Sequence, residues 1–294
     1  MTRTRGLLTA AAIPLILMAG CARPDSAGSA GNAADPITES ASATDPTVLV
    51  RIAQEGGFVP TSYRYGRLPD VTVYADGRVI SNGPVPAIAP GPALPNLQVL
   101  RITPERAAQW AADAIAAGVK TGADLGAPGV ADIPDTVITA TSGGTTQTVR
   151  VTALHQAQPT DPNLSASQQA ARKKLAGYVD ELTALTTETG SPAPDAYVPD
   201  SLAALAQDYV ATDDGLKQQP QDWPGPALPG AELSPGTGLY CVSVSGAEKD
   251  KLWAAAGKAN MRTPWVSGGK QWQVTFRPLL PDETGGCAAL KDAK

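Results

Sequence analysis

Ser267-Gly-Gly-Lys270 places a hydroxyl three residues before an amine, a spacing at which lysine can serve as base to a serine nucleophile, and Lys120-Thr121-Gly122 matches the element that accompanies it in such enzymes. There the serine opens a helix and precedes the Lys-Thr-Gly strand. Here the order is reversed and Ser267 falls in a glycine-rich hairpin, so turn chemistry accounts for the residues better. A hydrolytic triad, or a catalytic cysteine, would have to use His155, the single histidine. No Gly-x-Ser-x-Gly elbow presents a serine to it, and its place just past a strand end makes it an exposed loop residue. One histidine and two cysteines expected to be oxidised leave too few ligands for zinc. Asp213-Asp214-Gly215 lacks the alternating acids of a calcium loop and reads as a turn. Gly257-Lys258 and Gly269-Lys270 lack the earlier glycine and the following Ser or Thr of a phosphate loop. No metal or cofactor is therefore expected.

Carboxylates need less sequence context, since two acids suffice for glycoside hydrolysis. Asp180-Glu181 lies in a helical stretch, where neighbours point about 100° apart and form a solvated face. Asp282-Glu283 lies in a proline-containing tail. Among aromatic residues, Trp223, Trp265 and Trp272 stand out: Trp265 and Trp272 flank one hairpin, where they can pack together in the core or leave a ring on a binding surface. The three tryptophans are the candidate binding surface.

The amino terminus carries an address. Arg3 and Arg5 precede an apolar run from Leu7 to Met18, too short to span a bilayer, and Ala19-Gly20-Cys21 follows. Residues 1 to 21 resemble the lipobox of bacterial lipoproteins, in which cleavage falls before a lipidated cysteine; Met18 stands where that family more often has Leu. The resemblance implies that residues 1–20 are a signal peptide and that Cys21 carries a diacylglycerol, whose two chains suffice for stable anchoring. Ala22 to Pro46 is almost wholly Ala, Ser, Gly, Asp, Asn, Thr and Pro, and reads as a disordered tether reaching roughly 25 to 30 Å. Without Arg3 and Arg5, the 23 basic residues fall to 21 against 28 acidic ones, a formal charge of −7 that disfavours nucleic acid as a partner. Cys241 and Cys287 are then the remaining cysteines in an oxidising compartment, and a disulfide between them would contribute about 4 kcal/mol in the chain-entropy model.

The body from Thr47 to Lys294 must position whatever chemistry exists. Val48, Val50 and Ile52 alternate with Leu49, Arg51 and Ala53, and Val71 to Ala75 alternates again before Asp76-Gly77, a pair suited to a type I′ turn into Arg78-Val79-Ile80. Pro84 to Pro95 is an extended crossover with five prolines. After the strand Leu97 to Ile102, Thr103-Pro104-Glu105 gives a cap, a first-turn proline and an acid, opening a helix with Ala107, Trp110, Ala111, Ala114 and Ile115 on one face and Gly118 at its end. Gly118 to Asp135 is a loop, and Ser142-Gly143-Gly144 joins the strands Thr136 to Thr141 and Gln147 to Leu154. Ser165 and Gln168 have capping-box spacing before a helix striped by Leu175, Tyr178, Val179, Leu182 and Leu185, stopped by Gly190 and Pro192. Leu202 to Val210 reads equally as strand or helix, and Gln218 to Pro235 as a second proline-rich connection. Leu239 to Val244 is a strand, Ser245 and Glu248 repeat the capping spacing, Leu252, Trp253 and Ala256 line a helix, and a hairpin turns at Ser267-Gly268-Gly269.

The fold class expected is α+β, antiparallel sheets with packed helices. Two strand-helix-hairpin units share Glu105, Trp110, Ala111 and Ala112 with Glu248, Trp253, Ala254 and Ala255, so residues 47–160 and 161–294 are expected as two similar halves. The body resembles uncharacterised secreted lipoproteins of high-GC Gram-positive bacteria around Gly57 to Ile80 and Trp272 to Glu283, a likeness that carries no activity. Together these readings describe a lipid-anchored extracytoplasmic lipoprotein, non-enzymatic, held to the membrane through Cys21. It would bind a protein, a small ligand or a cell-envelope component. The alternative is a cell-wall hydrolase using carboxylates.

Overall fold

The computed structural model describes residues 46–158, 160–186, 193–211 and 216–291. The expectations placed on Cys21, the tether, Asp213 to Gly215, Gly190 and Pro192 lie outside the described residues. The fold is mixed α+β, with two mostly antiparallel sheets of seven and six strands.

The first sheet is built from β1 (Val48–Glu55), β2 (Val71–Tyr74), β3 (Arg78–Asn82), β4 (Leu97–Arg101), β5 (Asp135–Ser142), β6 (Thr145–Thr152) and the two-residue β7 (Asp195–Ala196). Its spatial order is β6-β5-β1-β2-β3-β4-β7, all antiparallel. Between β2 and β3 the turn differs from the expected two-residue type I′. Gly77 N–H donates to Tyr74 O at 3.0 Å, and of the loop residues only Gly77 has positive φ, at 85°. This is a three-residue loop closed by a left-handed glycine. Any Cβ at Gly77 would stand 2.0 Å from the Ile102 carbonyl oxygen, so the strand order around β4 demands glycine there. The two-residue turn with positive φ at both centres occurs instead at Gly143-Gly144, φ 56° and 75°, where Ser142 pairs Thr145.

Two helices cover one face of this sheet. In α2 (Pro104–Ala117) the Thr103 hydroxyl accepts from Arg106 N–H, and Gly118 ends the helix at φ 113°. In α3 (Ala166–Ala184) both hydrogen bonds of the Ser165/Gln168 capping box are present. Trp110 and Tyr178 meet edge to face at 5.9 Å, and the Tyr178 hydroxyl donates to Trp110 O. Their stripes close a core on Val50, Ile52, Val71, Val73, Ile138 and Val151. Ile115, expected on the inner face, is an exposed exception.

The second sheet holds β8 (Ser201–Asp208), β9 (Gln221–Asp222), β10 (Ala231–Ser234), β11 (Leu239–Ser245), β12 (Trp265–Ser267) and β13 (Lys270–Pro278), in the order β10-β11-β8-β13-β12-β9. Only β9 and β12 run parallel. Central β8 buries Leu202 to Ala206 against both faces, which removes the alternation that would have marked it as a strand. One face packs under α4 (Gly246–Ala256), with Leu252 and Ala256 against Leu202, Ala204, Val274 and Phe276. The other is closed by α1 (Thr61–Gly66), a short 3-10 helix (Gly286–Leu290) and the Cys241–Cys287 disulfide. Ser245 caps α4 by position alone, since its side chain makes no capping hydrogen bond.

Three expected features come out differently. Helix α3 and strand β7 belong to the first sheet, so the division at residue 160 falls before an element that the first core requires. The two strand-helix-hairpin units also connect differently. Three strands separate β4 from the hairpin β5-β6, while β8 alone separates β11 from β12-β13, and the hairpins join their sheets through opposite arms. Finally, the connection from Gln218 to Pro235 contains β9 and β10 as edge strands.

Candidate functional site

The strands of the first sheet turn alternate residues away from α2 and α3, and that second face looks toward the second sheet. From β1 it presents Arg51 and Ala53, from β2 Tyr74, and from the hairpin β5-β6 Val137, Thr139, Thr148 and Arg150. The carboxy-terminal tail reaches it from β13. Arg51 Nη2 lies 2.8 Å from both oxygens of Asp282, and the Tyr74 hydroxyl donates to Asp282 Oδ1 at 2.6 Å. Burial works against the Arg51 charge, and the Asp282 carboxylate more than offsets it, so the guanidinium is held above its ordinary pKa. Burial, reinforced by the bond to Asp282, pushes the Tyr74 phenol far up. Next to it, Arg277 grips Glu283 with both terminal nitrogens at 3.0 and 2.6 Å, and Glu283 Oε2 also accepts from Leu280 N–H. Arg51–Asp282 thus ties the two sheets together through charge and geometry.

Two concavities flank this seam. The larger, about 700 Å³, lies between the sheets: Gln54, Asp70 and Asn82 come from the first, Gln273 to Phe276 from β13, and Val85 to Pro95 of the crossover together with Met261 form its mouth. Large apolar side chains stay in solvent there, with Val85 66%, Met261 56% and Tyr63 56% exposed. Gln54 organises the polar floor. Its Nε2 donates to Asp70 Oδ2 at 2.7 Å, and its Oε1 accepts from the Thr136 hydroxyl. Burial raises the Asp70 pKa in spite of the Gln54 hydrogen bond.

The smaller concavity, about 410 Å³, is a trough floored by Ala53, Val137, Thr139 and Thr148 and walled by Arg51, Arg64, Arg67, Arg150 and Arg277. Gln54, Arg67 and Leu68 line both spaces, so the trough and the cleft share a wall. A third hollow, about 550 Å³ beside α3, is mainly apolar; there the buried Arg172 donates to the carbonyls of Leu125, Thr152 and Ala153.

The residues singled out by their chemistry are spread over the molecule. Ser267 Oγ accepts from Leu228 N–H, while Lys270 Nζ bonds Asp208 Oδ1 and sits over the Trp272 ring. Ser267 and Lys270 therefore bond different partners, and Lys120 is an exposed loop residue. His155 is exposed as expected, with Nε2 3.8 Å from Asp180 Oδ1. Asp180 and Glu181 lie on the solvent face of α3, and each of Asp282 and Glu283 is taken up by an arginine. Among the described residues no group of three or more His, Cys, Asp or Glu is placed to hold a metal ion. The expected disulfide is formed.

The three tryptophans pack inward, so of the two roles open to them core packing holds, and their role as a candidate binding surface is corrected. Trp265 is 1% exposed, Trp272 6% and Trp223 9%. Trp265 and Trp272 are register partners, yet Trp265 packs edge-on against Trp223 at 5.5 Å and Phe276 at 5.7 Å. Strand β9 brings Trp223 beside that hairpin, and its Nε1 donates to Pro226 O. The site residues that sequence reading passed over are Arg51, Arg64, Arg67 and Arg277. Arg51 did interrupt an otherwise apolar strand, and that was the available signal. The others depend on long-range placement.

No protein-family model, curated protein or solved structure matches this chain.

Proposed function

We propose that this protein is a lipid-anchored extracytoplasmic binding protein, fixed to the membrane through Cys21, whose body receives a small amphipathic molecule in the cleft between its two sheets. The observation that carries this reading is the cleft itself. Its volume of about 700 Å³ falls in the range of small-molecule sites, its apolar side chains stand exposed at the mouth, and its polar groups converge on the floor around Gln54 and Asp70. Exposed apolar side chains gathered around a concavity mark a place where something else is meant to be covered. The anchor reading rests on the order of residues from Arg3 to Cys21. It is consistent with a disulfide in the body, because disulfides persist outside the reducing cytoplasm. Among the described residues no helix is long and apolar enough to cross a membrane.

Both parts can be tested on one variant. Cys21→Ser is expected to release the protein from membranes into the soluble fraction, and undiminished membrane retention would refute the anchor. The released protein should bind the neutral apolar fluorophore N-phenyl-1-naphthylamine saturably at one site. Ala93→Trp, which fills the cleft, and Met261→Glu, which puts charge at its mouth, should each abolish that binding. Binding that neither substitution alters would place the probe elsewhere and remove the support for the cleft.

A further inference from the structure

We infer that the arginine trough is an oxyanion site that takes the carboxylate or phosphate head of the ligand whose apolar part occupies the adjoining cleft. The apolar half of this inference rests on the proposed function; the trough stands on its own residues.

The charges around the trough are unequally satisfied. Arg51 is committed to Asp282, Arg277 to Glu283 through its terminal nitrogens, and Arg150 to both Glu55 and Asp135. Among the described residues Arg67 makes no hydrogen bond to a carboxylate: it donates to the carbonyls of Gln54 and Gly56, stacks over the Tyr63 ring at 5.0 Å, and interacts with the Asp70 carboxylate only through space. Carbonyl bonds fix its guanidinium in place and leave it with no carboxylate in hydrogen-bond contact among the described residues. Arg64, in the last turn of α1, is exposed, and its guanidinium makes no hydrogen bond or ion pair with any described residue. Arg277 supplies an independent sign. It is only 3% exposed, and its buried Nε finds no hydrogen-bond partner among the described residues. An N–H of a charged group left unsatisfied in that setting is costly, and an acceptor in the trough would reach it on a shift of the Arg277 side chain. The exposed Arg64, the carbonyl-held Arg67 and the hydroxyls of Thr139 and Thr148, which bond each other at 3.0 Å on the floor, make a donor-rich pocket whose acids, Glu55 and Glu283, are already taken up by Arg150 and Arg277, in a chain whose formal net charge is −5. That overall charge repels extended polyanions but leaves room for one small anion held at close range.

The shared wall gives the ligand its shape. Arg67 and Leu68 face both the trough and the cleft, so a molecule with an apolar body in the cleft can place its head against Arg67 without leaving the surface. A chain-bearing phosphate or carboxylate has this form, and free inorganic phosphate would use the trough alone.

The test measures binding of dodecyl phosphate, inorganic phosphate and neutral dodecanol to the Cys21→Ser protein by isothermal titration, with and without Arg64→Glu. Arg64 is exposed and has no partner among the described residues, so its substitution should leave the fold intact, which thermal unfolding would verify. Dodecyl phosphate is expected to bind at least about tenfold more tightly than dodecanol and to lose about tenfold or more in Arg64→Glu, with dodecanol unaffected. If inorganic phosphate binds as well as dodecyl phosphate and both are weakened by Arg64→Glu, the trough stands as a free-phosphate site and the cleft reading fails. If dodecyl phosphate binds no better than dodecanol and Arg64→Glu changes neither, the trough is overturned while the cleft stands. No binding of any probe would overturn both.

Discussion

One strand, β1, builds two different environments on its two sides. Val50 and Ile52 are fully buried against α2 and α3, in an apolar core sealed by Trp110, Tyr178 and Leu175. Arg51 and Ala53, their immediate neighbours, face the seam between the sheets and line the arginine trough. Hairpin β5-β6 repeats the division, with Val149 and Val151 inward and Thr148 and Arg150 outward. The core face is held by contact with other apolar groups and tolerates no foreign chemistry. The seam face is held by directed bonds such as Arg51–Asp282 and retains space at their edges. The period of two in a β-strand thus lets eight residues serve both a sealed core and an open, charged seam.

The comparison can be broken at either face. The largest effect is expected from Ile52→Ala, which opens a cavity in the sealed core and should cost about 2–5 kcal/mol in urea unfolding. A loss near zero would mean that the core face is not closed. Asp282→Ala should cost about 2 kcal/mol, because it strands the partly exposed Arg51 and the hydroxyl of the buried Tyr74. Replacing the whole group, as Arg51→Met with Tyr74→Phe and Asp282→Leu, should recover stability to within about 1 kcal/mol of the parent. That recovery would show that the seam tolerates apolar substitution as long as no charge is left alone. If the triple variant is as unstable as Asp282→Ala, the network contributes more than its own satisfaction. Thr103→Ala removes the side-chain cap of α2, the helix that covers the core face, and should lower stability by about 1 kcal/mol.

Much of the core face was legible from residue order, because apolar periodicity reports burial directly. The α2 cap, the α3 capping box and the β1 alternation all appear where their residue types require. The seam was not legible. Arg51 and Asp282 are 231 residues apart, and nothing local to either announces the other. Asp282-Glu283 looked like a polar tail because its partners lie on β1, β2 and β13. The tryptophans left two roles open for a related reason. A hairpin with a ring on each arm does not reveal that a short parallel strand, β9, will lay a third ring against it. Strand β8 was ambiguous because burial on both faces erases the alternation by which strands are recognised.

Two smaller effects would sharpen the contrast. The Asp70 carboxyl is raised by burial in the folded protein above its unfolded value, so the native state binds more protons in the window just above the ordinary carboxylate range. Stability should therefore fall as pH rises through that window. Asp70→Asn should flatten this dependence and leave the protein more stable at neutral pH, as measured by thermal unfolding across a pH series. A variant with unchanged pH dependence would show that Asp70 is well solvated. Arg64→Gln should change stability least, by less than about 0.5 kcal/mol, since its guanidinium has no partner among the described residues to lose. A large loss would mean that Arg64 supports the fold.

Native mass spectrometry of the protein gently extracted from its own host tests the central claim most directly. The expected result is one anionic amphiphile per chain, retained by the parent protein and absent from Ala93→Trp. A parent protein that carries no small molecule, or an adduct equally present in both, would contradict a ligand site between the two sheets.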